Sequence, residues 1–189
     1  GWRVNFHGQK SYNGVALVSR APLDDVRCGF VGELEKDPEA LDLGEQKRVI
    51  SALIDGVRVV NLYVPNGSSL TSDKYPYKLK WLSCLKRYLE QPLQRGEPLC
   101  VVGDFNIALE ARDMHTPDRL SGGIMASDAE RQALQTALAN GLQDVFRVFE
   151  PDAGHWSWWD YRSGAWDRDR GWRIDHIYLC DELLGLARS

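Results

Sequence analysis

Cysteine is scarce and unpatterned in this sequence: Cys28, Cys84, Cys100 and Cys180 are scattered and make no Cys-x-x-Cys pair. Neither a zinc ribbon nor a disulfide framework is indicated, and thiols in a reducing compartment are expected. No apolar run is long enough to span a bilayer, and no basic segment followed by an apolar stretch opens the chain. A soluble, cytoplasmic, monomeric protein is therefore expected, with no membrane partner. Positive charge is also in deficit, with 23 Lys and Arg against 27 Asp and Glu. That total argues against a polyanionic partner, since affinity for phosphates comes mainly from cations. A net charge is only a sum, however, and a local basic strip coexists with an acidic total. Arg162, Arg168, Arg170 and Arg173 form such a strip, although any one of them reads equally as part of a solvated loop.

What is present is enough for one globular domain of 189 residues, 43% of them hydrophobic. Residue 1 is Gly, Trp2 to His7 already reads as a strand, and Leu183 to Ser189 is a short tail, so a fragment incomplete at both ends is expected. Apolar and polar residues alternate at Gly14–Ser19, and again on both sides of Asp55-Gly56, from Arg48 to Ile54 and from Val57 to Val64. Asp-Gly suits a type I′ turn, which predicts an antiparallel hairpin. Leu79, Leu82, Leu85 and Leu89 recur at helical spacing within Tyr75–Leu93, with Pro92 and Gly96 marking the end. Leu99–Val102 reads as a strand buried on both faces. Ser127 opens a second helix to about Ala139, with Glu130 as its capping-box partner. Trp156–Tyr161 and Trp172–Cys180 read as further strands. Antiparallel strands interspersed with helices point to an α+β sandwich of two packed sheets covered by helices.

Chemistry concentrates where strands meet loops. In Val101-Val102-Gly103-Asp104-Phe105-Asn106 a strand runs into Gly and then presents Asp104 and Asn106 on one side, provided the extended geometry continues. A carboxylate can take a proton from water, and a neighbouring amide can hold that water or a phosphate oxygen. In isolation, Gly-Asp-x-Asn is ordinary turn chemistry. Tyr63-Val64-Pro65-Asn66-Gly67 delivers a phenol and an amide at another strand end. Arg173 and Asp175 share a strand face, a spacing more often found in a structural ion pair. Trp156, Trp158, Trp159, Tyr161, Trp166 and Trp172 make a dense aromatic group that serves a core or stacks on bases. His7, His115 and His155 have no metal-site spacing.

In order, His7-Gly-Gln-Lys-Ser-Tyr-Asn-Gly-Val-Ala-Leu-Val-Ser-Arg20, Tyr63-Val-Pro-Asn66, Gly103-Asp-Phe-Asn106, Trp156-Ser-Trp-Trp-Asp-Tyr-Arg162 and Gly171-Trp-Arg-Ile-Asp175 resemble the exonuclease III family of AP endonucleases along nearly the entire chain. The resemblance implies a DNase I-like four-layer αββα sandwich, incomplete at both ends here. It implies hydrolysis of DNA phosphodiesters with Mg²⁺ or Mn²⁺, on duplex DNA with abasic sites or blocked 3′ ends. By position, Asp104 resembles the water-activating residue, Asn106 its partner, Tyr63 the tyrosine near the leaving oxygen, and Asn66 a phosphate contact. Asp175 resembles the carboxylate that pairs with a catalytic histidine. Trp158 and Trp172 match the aromatics of the abasic-sugar pocket, Tyr12 falls at a DNA-backbone contact, and Arg173 adds a basic contact. Metal would rest on Asp104 and Asn106. The family's metal-binding Glu and its Ser-Asp-His motif have no counterpart among these residues, and His176 does not replace that histidine, since it points away from Asp175. These 189 residues alone are therefore expected to be weak or inactive. A non-catalytic DNA-binding relative and a same-fold phosphoesterase acting on inositol phosphates or sphingomyelin are the alternatives; retention of Asp104, Asn106, Tyr63 and Asp175 weighs against the first.

Overall fold

The computed structural model describes residues 1–162 and 164–188. Strands β1 (Arg3–Gln9) and β2 (Tyr12–Ser19) form a separate antiparallel hairpin. The main sheet holds β3 (Asp24–Cys28), β4 (Val49–Ile54), β5 (Val57–Tyr63), β6 (Leu99–Asp104) and β7 (Leu142–Asp144). Two short strands, β8 (Trp158–Trp159) and β9 (Gly171–Trp172), pair with each other, and β10 (Asp175–Cys180) returns to the main sheet. Helices α1 (Pro38–Gly44), α2 (Lys74–Gln94), α3 (Pro117–Leu120), α4 (Asp128–Leu138), α5 (Val145–Phe149) and α6 (Asp181–Leu184) complete the chain. Among the described residues no helix is long and apolar enough to cross a membrane.

The hairpin at Asp55-Gly56 forms as its turn chemistry requires, with both residues at positive φ, 49° and 82°. The main sheet runs β3-β4-β5-β6-β10-β7, and within it only β5 and β6 are parallel. Parallel neighbours need a crossover, and α2 supplies it. Trp81, Leu82, Leu85 and Leu89 of α2 and Leu134 of α4 bury against Val60, Leu62, Val101 and Tyr178 on one sheet face. Ile50 and Ala52 on the other face pack against Val15 and Leu17 of β2. The result is an α+β stack of helices, a mixed six-stranded sheet and a two-stranded layer; Val4, Phe6 and Val18 lie exposed on the far side of that layer.

Three expectations need correction. In β6, Leu99 and Val101 are sealed while Cys100 and Val102 are only half-buried, so the strand is not closed on both faces. The aromatic segment Trp156–Tyr161 is extended for only two residues, and Trp172–Cys180 is broken at Arg173-Ile174. The break has a local cause. The Ile174 and Asp175 N–H groups donate to the Ser157 hydroxyl, 3.0 Å each, and the Arg173 N–H donates to the Asp113 carbonyl. Helix α2, by contrast, forms at Lys74–Gln94, within a residue of the expected span at each end, with Pro92 near its end.

Gly103 marks where the sheet tolerates no side chain. Its φ is +137°, and an added Cβ would lie 1.9 Å from the Leu62 carbonyl oxygen. Gly103→Ala is expected to cost about 4 kcal/mol or to prevent folding, read by urea denaturation; a loss under about 1 kcal/mol would contradict this packing.

Candidate active site

The register of the central strands builds the site. Tyr63 of β5 lies opposite Asp104 of β6, and Asp104 lies opposite Asp175 of β10. Opposed residues share a face and adjacent strands run about 4.8 Å apart, so phenol and two carboxylates stand in one row. Main-chain bonds pin the row at its centre: Val64 N–H donates to Asp104 O and Phe105 N–H to Ile174 O, both at 2.8 Å.

Beyond Asp104 the strand does not continue. Asn106 has φ +50°, and its N–H folds back to donate to Asp104 Oδ1 at 2.8 Å. The expected extended pairing of Asp104 and Asn106 is thus replaced by a tight turn, which still joins them. The Asn106 amide is 5% exposed and fully engaged, its Nδ2 donating to Val64 O and its Oδ1 accepting from Asn66 Nδ2 at 2.8 Å. It is therefore poorly placed to lend Oδ1 to a metal without giving up Asn66. Asn66 itself is exposed, and its Oδ1 accepts from Ser68 N–H.

Burial pushes the Asp104 carboxyl up to about 6; the nearby Asp175 carboxylate adds to the rise, while the Asn106 N–H, Lys78 and Arg48 pull the other way. Partial burial also raises Asp175. Two neighbouring carboxylates, each easier to protonate than usual, are oxygen donors short of positive charge. That suits a hard divalent cation, which commonly takes one or two carboxylates and completes its shell with water and phosphate. Among the described residues no cluster of three acidic, His or Cys side chains exists; Asp104 and Asp175 are the carboxylates that the row itself brings together.

Arg48 caps the row from the side. Its guanidinium sits 4.7 Å from the Tyr63 ring centroid and donates to Tyr63 O. Tyr63, Arg48, Asn66 and Lys74 line a cleft of about 450 Å³ with Tyr12 and Gln9 of the hairpin turn. Tyr12 is 78% exposed at its edge. Trp158 borders a second, aromatic cleft of about 470 Å³ with Trp159, Tyr161 and Trp166. Trp172, its partner across β8 and β9, is buried at 8% among Met114, Ala126 and Ile174, and backs that wall rather than lining it.

Arg173 departs most from expectation. It is 3% exposed, it does not pair with Asp175, and its guanidinium donates to Asp113 and Asp144 at 2.7 Å each. It is a brace under the strand break and not a group free to meet DNA. Ser157 and Lys78 went unnoticed in the sequence. Ser157 had a signal in its place between two tryptophans of the aromatic segment. Lys78 had one in its position on the apolar stripe of α2, one turn before Trp81 and Leu82. His176, at 2% exposure and with its pKa lowered to about 4 by burial, bonds Tyr178 and faces away from the row.

Fold and site together define a DNase I-like α+β protein. Residues 1–189 match the model of the endonuclease/exonuclease/phosphatase family, and the chain belongs to that family. Exodeoxyribonuclease III of Haemophilus influenzae is 34% identical over 195 residues, which cover 97% of this chain and 70% of that protein. Exodeoxyribonuclease of Bacillus subtilis is 34% identical, covering 95% and 68%. Among solved structures, a 3′-5′ exonuclease from Neisseria meningitidis superposes with TM-score 0.90 at 38% identity, covering 100% of this chain and 71% of that one. An AP endonuclease from Archaeoglobus fulgidus gives 0.87 at 36%, covering 98% and 69%. Exonuclease III family enzymes are metal-dependent.

Two outcomes follow from these electrostatics. Because folding raises the Asp104 pKa from 3.8 to about 6, its ionisation destabilises the fold, with no cost below pH 4 and the full cost above pH 6. Asp104→Asn, unfolded by urea in the presence of a chelator, should gain on the order of 2 kcal/mol at pH 7.5 and almost nothing at pH 4; equal gains at both would refute the raised pKa. Arg173→Met strands the fully buried Asp113 carboxylate with one remaining guanidinium, Arg147. It should cost about 3 kcal/mol, whereas a surface phosphate contact would cost almost none.

Proposed function

We propose that this protein hydrolyses DNA phosphodiesters in base excision repair, cutting 5′ of abasic sites, with 3′ to 5′ exonuclease and 3′-phosphatase activity on blocked ends. The observation that carries this reading is the single row of Tyr63, Asp104 and Asp175 across β5, β6 and β10. Within it Asp104 is the base: its carboxylate takes a proton from water as the oxygen attacks phosphorus, one P–O bond forming as another breaks. Burial and the Asp175 carboxylate make the Asp104 carboxylate more basic than an ordinary Asp, which favours proton transfer; a bound cation would oppose that rise. Tyr63 stands by the leaving oxygen. Asn66, exposed at the rim, contacts the phosphate, and Asn106 acts by holding both Asn66 and Asp104.

Mg²⁺ or Mn²⁺ held by Asp104 and Asp175 would supply positive charge for the phosphate oxygens. Duplex DNA would approach along the Tyr12 cleft, with Trp158 walling the sugar pocket and Arg48 and Lys74 supplying local positive charge against the acidic total. The protein would act as a cytoplasmic monomer.

The decisive assay uses the intact protein on an abasic duplex. Asp104→Asn should lower kcat by 10³-fold or more while leaving DNA affinity within about threefold, and chelation should suppress cleavage by the parent. The parent's rate should fall tenfold per pH unit below the titration of its base. Cleavage of a phosphoinositide but not of the oligonucleotide would point instead to a same-fold phosphoesterase.

A further inference from the structure

Helix α2 carries one residue that its apolar stripe does not explain. Lys78 sits a turn before Trp81 and Leu82 and is 0% exposed, as is its partner Glu130 of α4. The Lys78 ammonium has three protons and spends all of them: on Glu130 Oε1 at 2.6 Å, Asn106 O at 2.7 Å and Asn66 O at 3.2 Å. We propose that Lys78 is a positioning residue for the site, a buried clamp that ties the loop bearing Asn66 to the loop bearing Asn106 and thereby sets the reach of Asp104.

This inference rests on the reading of Asp104 as the base. Both clamped carbonyls belong to residues whose side chains meet at the row, Asn66 Nδ2 donating to Asn106 Oδ1. Asn106 holds a left-handed backbone, uncommon for a residue with a Cβ, and its N–H is the one that orients the Asp104 carboxylate. A donor on its carbonyl from below fixes the turn that makes this possible. Gly67 leaves room for the lysine stem: a Cβ there would lie 3.3 Å from Lys78 Cδ. Glu130 is immobilised in turn by the N–H groups of Met125 and Ser127 and by the Ser127 hydroxyl.

Stability alone does not account for the pair. A buried ion pair is commonly replaceable by apolar side chains of similar size without loss of stability. What apolar side chains cannot do is donate to two main-chain carbonyls from two different loops. A displacement of about 1 Å in a catalytic group costs on the order of 10²-fold in rate, so the clamp should act on turnover more than on binding.

The test compares Lys78→Met/Glu130→Leu, Lys78→Arg and Asp104→Asn in the intact protein, reading thermal midpoint, kcat and KM on an abasic duplex. The double variant leaves the Asn66 and Asn106 carbonyls and the Met125 and Ser127 N–H groups without these partners, so its midpoint should fall. Assayed below that midpoint, where it is folded, it should keep KM within about threefold while kcat falls about 10²-fold. A folded double variant with parental kcat would overturn the proposal. Should the double variant not fold, Lys78→Arg decides. It keeps the charge opposite Glu130, but its planar fork cannot reproduce three divergent bonds, so kcat should fall about tenfold at unchanged KM. Parental kcat in Lys78→Arg would then overturn it. Asp104→Asn separates the two levels: if it cleaves like the parent, the base assignment fails and this inference with it. If it is inactive while the Lys78 variants turn over normally, only the clamp fails.

Discussion

The parallel pairing of β5 with β6 is the constraint on which the site depends. It is the one parallel contact in an otherwise antiparallel sheet, and it brings the ends of two strands to the same rim. An antiparallel pairing would have put Tyr63 and Asp104 at opposite ends of the sheet. Because β10 then returns antiparallel to β6, Asp175 at its start meets Asp104 at the end of its neighbour. Gly103 is part of the same constraint, since the Leu62 carbonyl comes so close that no side chain fits. Two short loops, Val64 to Asn66 and Phe105 to Asn106, leave this rim together, tied by the Asn66 Nδ2 bond to Asn106 Oδ1.

Much of this was legible along the chain because it is local. The Asp55-Gly56 hairpin, the Ser127 capping box and the apolar stripe of α2 each follow from interactions within a few residues, and each formed where its residues predicted. Asp104, Asn106 and Tyr63 were legible as candidate chemistry at strand ends, whereas Asp175 read as an ion-pair partner within a strand and drew attention only through the family resemblance. The adjacency of the four was not legible, because register between strands 40 to 70 residues apart is set by packing that no local pattern records. The extended path assumed from Asp104 to Asn106 failed for a different reason. The turn is the local one that Gly-Asp-x-Asn also allows, closed by Asn106 N–H on Asp104 Oδ1, and partners from the loop after β5, Val64 O and Asn66 Nδ2, hold the Asn106 side chain in it.

Arg173 shows how charge misleads when burial is unknown. Beside Arg168 and Arg170 it reads as part of a basic strip, but those two are exposed and it is sealed. Its guanidinium, with that of Arg147, neutralises Asp113, and its main-chain N–H bonds the Asp113 carbonyl where strand geometry lapses. The brace and the Ser157 hydroxyl together end β9 and restart the chain as β10 at Asp175. A charged group deep in the protein thus acts on the site through the backbone rather than through its field.

The same logic connects the two buried charge clusters. Lys78 with Glu130 lies under the loops that end β5 and β6, and Arg173 with Asp113 lies under the approach to β10. Each cluster costs desolvation that an apolar core would avoid. Lys78 spends two of its bonds on the Asn66 and Asn106 carbonyls, whereas the Arg173 guanidinium spends its own on the Asp113 and Asp144 carboxylates and leaves the backbone contact to its main-chain N–H. Apolar packing is non-directional and lets a loop slide by fractions of an ångström without penalty. Hydrogen bonds from a fixed cation do not. Beneath the loops that end β5 and β6 the directional donor is the Lys78 ammonium; beneath the approach to β10 the directional contacts are the Ile174 and Asp175 N–H groups on the Ser157 hydroxyl and the Arg173 N–H on the Asp113 carbonyl, made by main chain and hydroxyl rather than by a cation.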